Sequence, residues 1–181
     1  MDSPDFPYPH DTDPDVFRES LRHSEAATGF TATLIEKDYY CSLILRHLFS
    51  DESILVFKGG TCLSKVYVDF TRLSEDLDFV IPLPVDATRT QRRAAIEPIR
   101  ETLEQLPGTV PGIVVSKAVE GHNESRQYIG HLAYPSAIID KRERIKIEIG
   151  LREPLLIPSE IRMAHTLATN PFTRQPLLPR F

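Results

Sequence analysis

Phe57-Lys58-Gly59-Gly60-Thr61-Cys62-Leu63-Ser64-Lys65, followed by Arg72-Leu73-Ser74-Glu75-Asp76-Leu77-Asp78-Phe79, is the stretch from which the architecture is read. Upstream of it, Ile54-Leu55-Val56-Phe57 is a short, largely β-branched apolar run, the pattern of a buried strand. Lys58-Gly59-Gly60-Thr61 breaks that run, and Cys62 to about Val68 reads as the helix that follows. Leu77, Phe79 and Ile81 then alternate with Asp76, Asp78 and Val80, which predicts a half-buried strand ended by Pro82 and Pro84. A strand, a glycine turn, a helix and a second strand make the expected fold class α+β (or α/β), with a mixed sheet flanked by helices.

The same stretch carries the candidate chemistry. Two aspartates at i and i+2 of a strand share a face, with Cα atoms about 6.6 Å apart. Carboxylates that close repel one another unless a cation lies between them, and hard oxygen ligands of this kind suit Mg²⁺ or Mn²⁺. An isolated D-x-D is more often a solvated acidic face, so the pair gains meaning from its neighbours. Gly59, Gly60 and Thr61, between a strand and a helix, could present backbone N–H groups and a hydroxyl to a phosphate. Lys65 is an i, i+4 neighbour of Thr61 and could reach the same phosphates. The loop is not a Walker A sequence. A third acid, Glu148, lies on the alternating segment Arg144–Leu151. A phosphate cradle, a carboxylate pair and a third acid are the parts needed to hold a nucleoside triphosphate with metal ions.

Outward from this centre, a helix is expected from about Asp15 to Ala27, closed by Gly29. A second runs from Thr31 or Thr33 to about Phe49, with Leu34, Ile35, Tyr39, Leu43, Ile44 and Leu48 on one face and Glu36, Lys37 and Asp38 on another. Lys37 and Asp38 read as an internal ion pair tying this helix to the sheet, ahead of the alternative that they contribute to the site. A helix with arginines 89, 92, 93 and 100 lies within 88–106, and Pro98 should start, kink or divide it. That arginine set is either a solvated face or a patch for RNA. Further strands are expected at Ile113–Lys117, Gln127–Ala133 and Arg144–Leu151, with a hairpin turn around Gly121-His122-Asn123. The expected organisation is a loose acidic arm over 1–14, a core domain over 15–153 and a proline-rich segment over 154–181.

Composition narrows the classes further. With 181 residues, 41% apolar and 26% charged, the chain can bury a core without staples. The net charge of −5 comes from the first thirty residues, so bulk polyanion binding is excluded and any nucleic acid must be held locally. Cys41 and Cys62 form neither a disulfide framework nor a metal-ligand spacing, and the six histidines show no ligand spacing. No apolar run approaches a membrane span and the acidic start is unlike a signal peptide, so the expected location is cytoplasmic.

Gly59-Gly60-Thr61, then Ser74-Glu75-Asp76-Leu77-Asp78-Phe79, preceded by Ile35-Glu36-Lys37-Asp38-Tyr39-Tyr40, resembles the AbiEii/AbiGii toxin family of nucleotidyltransferases, within the polymerase-β-like superfamily. The resemblance covers roughly residues 31–151. It implies a Mg²⁺-dependent (or Mn²⁺-dependent) nucleotidyltransferase core, a nucleoside triphosphate substrate, an RNA (such as tRNA) or protein hydroxyl as acceptor, and a toxin of a phage-defence system restrained by an antitoxin protein. By position it implies Gly59, Gly60, Thr61, Lys65 and Ser74 for the nucleotide, and Asp76, Asp78 and Glu148 for metal and catalysis. The family pattern continues into a helical segment with a lysine and then an aspartate. Residues 163–181 contain no lysine, so the expectation is a natural short form, a degenerate gene, or a chain in which residues 154–181 are the start of a missing helical half. The alternative function is a catalytically incomplete module that binds nucleotide or a partner protein.

Overall fold

The computed structural model describes residues 8–49, 53–67, 76–152 and 155–180. Three helices come first: α1 (Pro9–Thr12), α2 (Pro14–Thr28) and α3 (Ala32–Leu48). Asp13 caps α2 by accepting from the Val16 N–H, and Gly29 ends it in the left-handed conformation, φ 78°. The residues after Tyr8 are therefore not a loose arm. His10 bridges the Tyr39 hydroxyl and the Pro111 carbonyl at 2.9 Å each, and Tyr8 meets His47 at 3.2 Å. The carbonyl can only accept, so His10 Nε2 carries the proton and Nδ1 accepts from Tyr39.

β1 (Val56–Lys58) leads directly into α4 (Gly59–Cys62), which widens into a π-helical turn over Leu63–Tyr67. β2 (Asp76–Pro82) follows, then α5 (Arg89–Thr109), β3 (Val114–His122), β4 (Gln127–Pro135) and β5 (Arg142–Arg152). The sheet order is β1-β2-β5-β4-β3, antiparallel except for the β2–β5 pair, so the mixed sheet expected from sequence is present. On its core face Leu77, Phe79, Ile81, Ile145, Ile147, Ile149 and Leu151 are each at most 2% exposed, and α3 and α5 supply the facing layer. Period-2 alternation thus sorts apolar residues inward and leaves Asp76, Asp78, Lys146 and Glu148 on the other face.

One expectation gives way to packing. Pro98 neither starts nor divides α5, which runs through it. The helix starts with a full capping box between Thr88 and Gln91 and buries Ile96, Ile99, Leu103 and Leu106, which offsets the roughly 3 kcal/mol an internal proline costs. The charged run in α3 faces protein, as an internal role requires, with Glu36, Lys37 and Asp38 0%, 9% and 4% exposed, but Asp38 takes Lys65 as its ion-pair partner. Glu36 is held by the Ser136 hydroxyl and the Ala137 N–H, both at 2.6 Å, anchoring the β4–β5 connection to α3. Its burial still pushes the carboxyl above the ordinary range, with those two hydrogen bonds opposing the shift.

Residues 155–180 contain no helix, and part of the segment packs onto the core. Ala168 and Leu178 are fully buried, the Thr169 N–H donates to Ser24 Oγ at 2.9 Å, and Thr169 bridges Pro176.

Candidate active site

The open face of β2 carries the two aspartates, both half-buried. Asp78 stands opposite Lys58 of β1 on one side and Glu148 of β5 on the other, while Asp76 stands opposite Lys146. Lys58, Asp78 and Glu148 therefore form one row across three strands, beside a second row of Asp76 and Lys146. Burial pushes the Asp78 carboxyl above its usual range; Lys58 opposes this, and Glu148 and Asp76 add to it. Glu148 behaves in the opposite way. Lys146 Nζ donates to its Oε2 at 2.6 Å and Gln127 Nε2 to its Oε1 at 2.7 Å, and these bonds, Lys146 first, hold its carboxyl below the usual range.

The glycine turn is built against this row. Gly59 has φ 77°, and a Cβ there would lie 2.6 Å from Asp78 Oδ2. Only a glycine lets β1 turn into α4 with the backbone this close to the carboxylate. Of the sequence-predicted residues, Gly59, Asp76, Asp78 and Glu148 are thus brought together, with Gly60 next in the turn. Among the described residues, however, no three His, Cys, Asp or Glu side chains group as a metal site. The expected acidic trio shares a face without grouping as a metal site, and Glu148 is held by Lys146 of its own strand and by Gln127 of β4.

Thr61 and Lys65 share a face, as their spacing predicts, but it is the inward one: they are 2% and 1% exposed. Thr61 Oγ1 donates to the Asp76 carbonyl at 2.6 Å, which ties α4 to β2. Lys65 Nζ ion-pairs with Asp38 Oδ1 and also donates to the Asp38 carbonyl at 3.0 Å and Ser42 Oγ at 2.7 Å. The other Asp38 oxygen accepts from Thr166 Oγ1 at 2.8 Å and the Leu167 N–H at 3.0 Å. Neither Thr61's hydroxyl nor Lys65's ammonium is presented at the mouth of the site, which corrects the roles expected of both side chains. Ser74 lies outside the described residues.

The arginine set of α5 also divides. Arg92 is buried and donates to the carbonyls of Ala87 and Glu124, the latter at 3.0 and 3.3 Å, while Arg100 pairs with Glu97 and Glu104. Arg89 and Arg93 are exposed and line a cleft with the β3–β4 turn.

A family model described as the AbiEii nucleotidyl transferase toxin, Type IV TA system, matches residues 43–180. The chain belongs to this family. The match continues through the proline-rich segment, well past residue 151, where the motif resemblance ends. No curated protein matches the chain. Two solved structures from H. pylori are similar to this AbiEii-family chain. One, titled a "putative nucleotidyltransferase", is 18% identical with a TM-score of 0.47 and covers 75% of this chain and 55% of its own. The other, JHP933 from Helicobacter pylori, is 19% identical with a TM-score of 0.43, covering 72% and 50%. The chain thus spans about half the length of the solved structures it matches. No helix among the described residues is long and apolar enough to cross a membrane.

Proposed function

We propose that this AbiEii-family chain transfers a nucleotide from a nucleoside triphosphate to an RNA hydroxyl, as a cytoplasmic toxin of a phage-defence system restrained by an antitoxin protein. The observation that carries this reading is the Gly59 turn packed against Asp78, on the open face that Asp76, Glu148 and two lysines share.

The donor chemistry fits a hard divalent cation. Asp76 and Asp78 offer carboxylate oxygens on one face; burial first, and then the like charges of Glu148 and Asp76, raise the Asp78 carboxyl, and a cation relieves like charge of this kind. Mg²⁺ or Mn²⁺ bound there would neutralise charge on the phosphates. The rest is positioning by the chain itself. Asp76 and Asp78 fix the reacting phosphate's side of the site, Gly59 lets the turn close against Asp78, Gly60 keeps the backbone beside it open to the phosphates, and Lys58 adds positive charge at the edge. In the reaction, the acceptor hydroxyl oxygen bonds to the α-phosphorus, the bond to the bridging oxygen breaks, pyrophosphate leaves and the hydroxyl proton passes to solvent.

A second reading, a nucleotide- or partner-binding module without catalysis, is favoured by one observation: Lys65 and Thr61 are committed to the interior. A label-transfer assay separates the two. Protein is incubated with each α-labelled nucleoside triphosphate, Mg²⁺ or Mn²⁺ and total cellular RNA, beside an Asp78→Ala control. Label entering an RNA band with the wild type alone supports the transferase. No transfer with any nucleotide refutes it and leaves the binding module.

A further inference from the structure

A triphosphate is strongly anionic, and a fixed cation beside the carboxylates of β2 would help to hold it. The lysine that sequence offers for this, Lys65, is 1% exposed and engaged by Asp38 and Ser42. The structure puts another in its place. Lys146 stands opposite Asp76 on the adjoining strand, on the same open face as the aspartates. Its ammonium is held 2.6 Å from Glu148 Oε2, and an ammonium has three donors, so one anchoring bond leaves others for an incoming oxygen.

Glu148 is itself fixed. Its second oxygen accepts from Gln127 Nε2 at 2.7 Å, and Gln127 Oε1 accepts from Asn123 Nδ2 at 3.2 Å. Asn123 opens a run of three left-handed residues, with φ 50°, 56° and 64° at Asn123, Glu124 and Ser125. Such a run is unfavourable for side-chain-bearing residues, and here the buried Arg92 guanidinium pins it by donating to the Glu124 carbonyl. The chain of contacts runs from α5 through a strained turn to Gln127, Glu148 and Lys146. Exposed ion pairs seldom repay the ordering of a flexible lysine, whereas a cation already ordered beside the carboxylates binds phosphate at lower entropic cost.

We propose that Lys146 is the residue that contacts the triphosphate in the role the motif spacing offered to Lys65, and that Gln127 is a positioning residue that acts on it through Glu148. The proposal rests on the nucleotidyltransferase reading, and its test is chosen to fail separately from it.

The probes are α,β-non-hydrolysable nucleoside triphosphates and inorganic tripolyphosphate, titrated calorimetrically in the presence of Mn²⁺, with Mn²⁺ alone as a third titrant. Lys146→Met is expected to weaken binding of both polyphosphates about tenfold, the worth of one charge-assisted bond, while leaving Mn²⁺ affinity undiminished. Lys146→Arg should restore most of the loss. Gln127→Leu should weaken polyphosphate binding by a smaller factor. The double variant should be no weaker than Lys146→Met, because Gln127 acts only through that lysine. Melting temperatures within a few degrees of wild type would show that all variants fold. Wild-type polyphosphate affinity in Lys146→Met, or additive losses in the double variant, overturns the assignment while leaving the transferase reading intact. A wild-type protein that binds neither polyphosphate overturns both.

Discussion

The molecule contains two lysine–carboxylate pairs of the same chemistry in opposite surroundings. Lys65 and Asp38 have side chains 1% and 2% exposed, and every contact described for them is to protein. Lys146 and Glu148 are 35% and 27% exposed on the open sheet face, with the candidate aspartates as neighbours. Burial decides what each can do. A buried pair is compensated only as a set, so it staples the π-helical turn after α4, α3 and residues 166–167 together and offers nothing to a ligand. A half-exposed pair contributes little to folding but keeps a cation within reach of solvent and substrate.

The comparison breaks most visibly at the buried pair. Lys65→Met leaves Asp38 as an uncompensated buried charge and should destabilise the fold by about 3–5 kcal/mol. Chemical denaturation would read this as a large fall in midpoint. Lys146→Met should move the midpoint by less than about 1 kcal/mol. Equal losses in the two variants would erase the distinction between staple and site.

The next effect concerns function. Asp78→Asn should reduce label transfer at least about a hundredfold, since a charge placed for the reacting phosphate is lost. It should not lower the melting temperature, because burial and the charges of Glu148 and Asp76 disfavour the ionised Asp78 in the folded state. A variant that loses transfer only because it melts would turn Asp78 into another staple.

Gly59→Ala tests the seam between the turn and the carboxylate. At φ 77° an alanine costs about 1–2 kcal/mol, and its Cβ would lie 2.6 Å from Asp78 Oδ2, so the carboxylate must move. Expected are a modest fall in denaturation midpoint and a disproportionate fall in Mn²⁺ affinity. A change in stability without one in metal affinity would separate the turn from the site.

How much of this is legible in sequence follows from the range of each interaction. The Asp76/Asp78 face and its apolar reverse are legible because strand period is local: Leu77, Phe79 and Ile81 can only point the other way. The pairing of Thr61 with Lys65 on one helical face is legible for the same reason. Which way that face turns is not, because it depends on Asp38, 27 residues earlier, and on Thr166 far beyond. The contacts of Gln127 and Asn123 near Glu148 are not legible because neither belongs to a motif; the one local signal is that Gln127 begins a predicted strand, which says nothing of β4 lying beside Glu148. Pro98 misleads because a local penalty is outweighed by the buried stripe of α5. The docking of His10 depends on contacts 29 and 101 residues away.

The smallest effect sharpens the open face itself, through two carboxylates whose shifts have opposite sign. The Asp78 pKa is raised above the unfolded value of about 3.9, chiefly by burial, so its ionisation opposes folding. That penalty is absent at low pH, sets in as pH rises through the unfolded and then the folded pKa, and is full above both. Glu148 is shifted down, chiefly by Lys146; its stabilisation is full above the unfolded value of about 4.3 and is lost as pH falls through the lower folded pKa. Near pH 6, Asp78→Asn should therefore be slightly more stable than wild type and Glu148→Gln slightly less, each by under about 1 kcal/mol for groups this exposed. Both differences should close as the pH is taken towards 3. Denaturation midpoints of the three proteins across that range measure it. Differences of the same sign would mean that Asp78 is held by Lys58 as firmly as Glu148 is by Lys146, and that the row carries no unrelieved negative charge for a cation to answer.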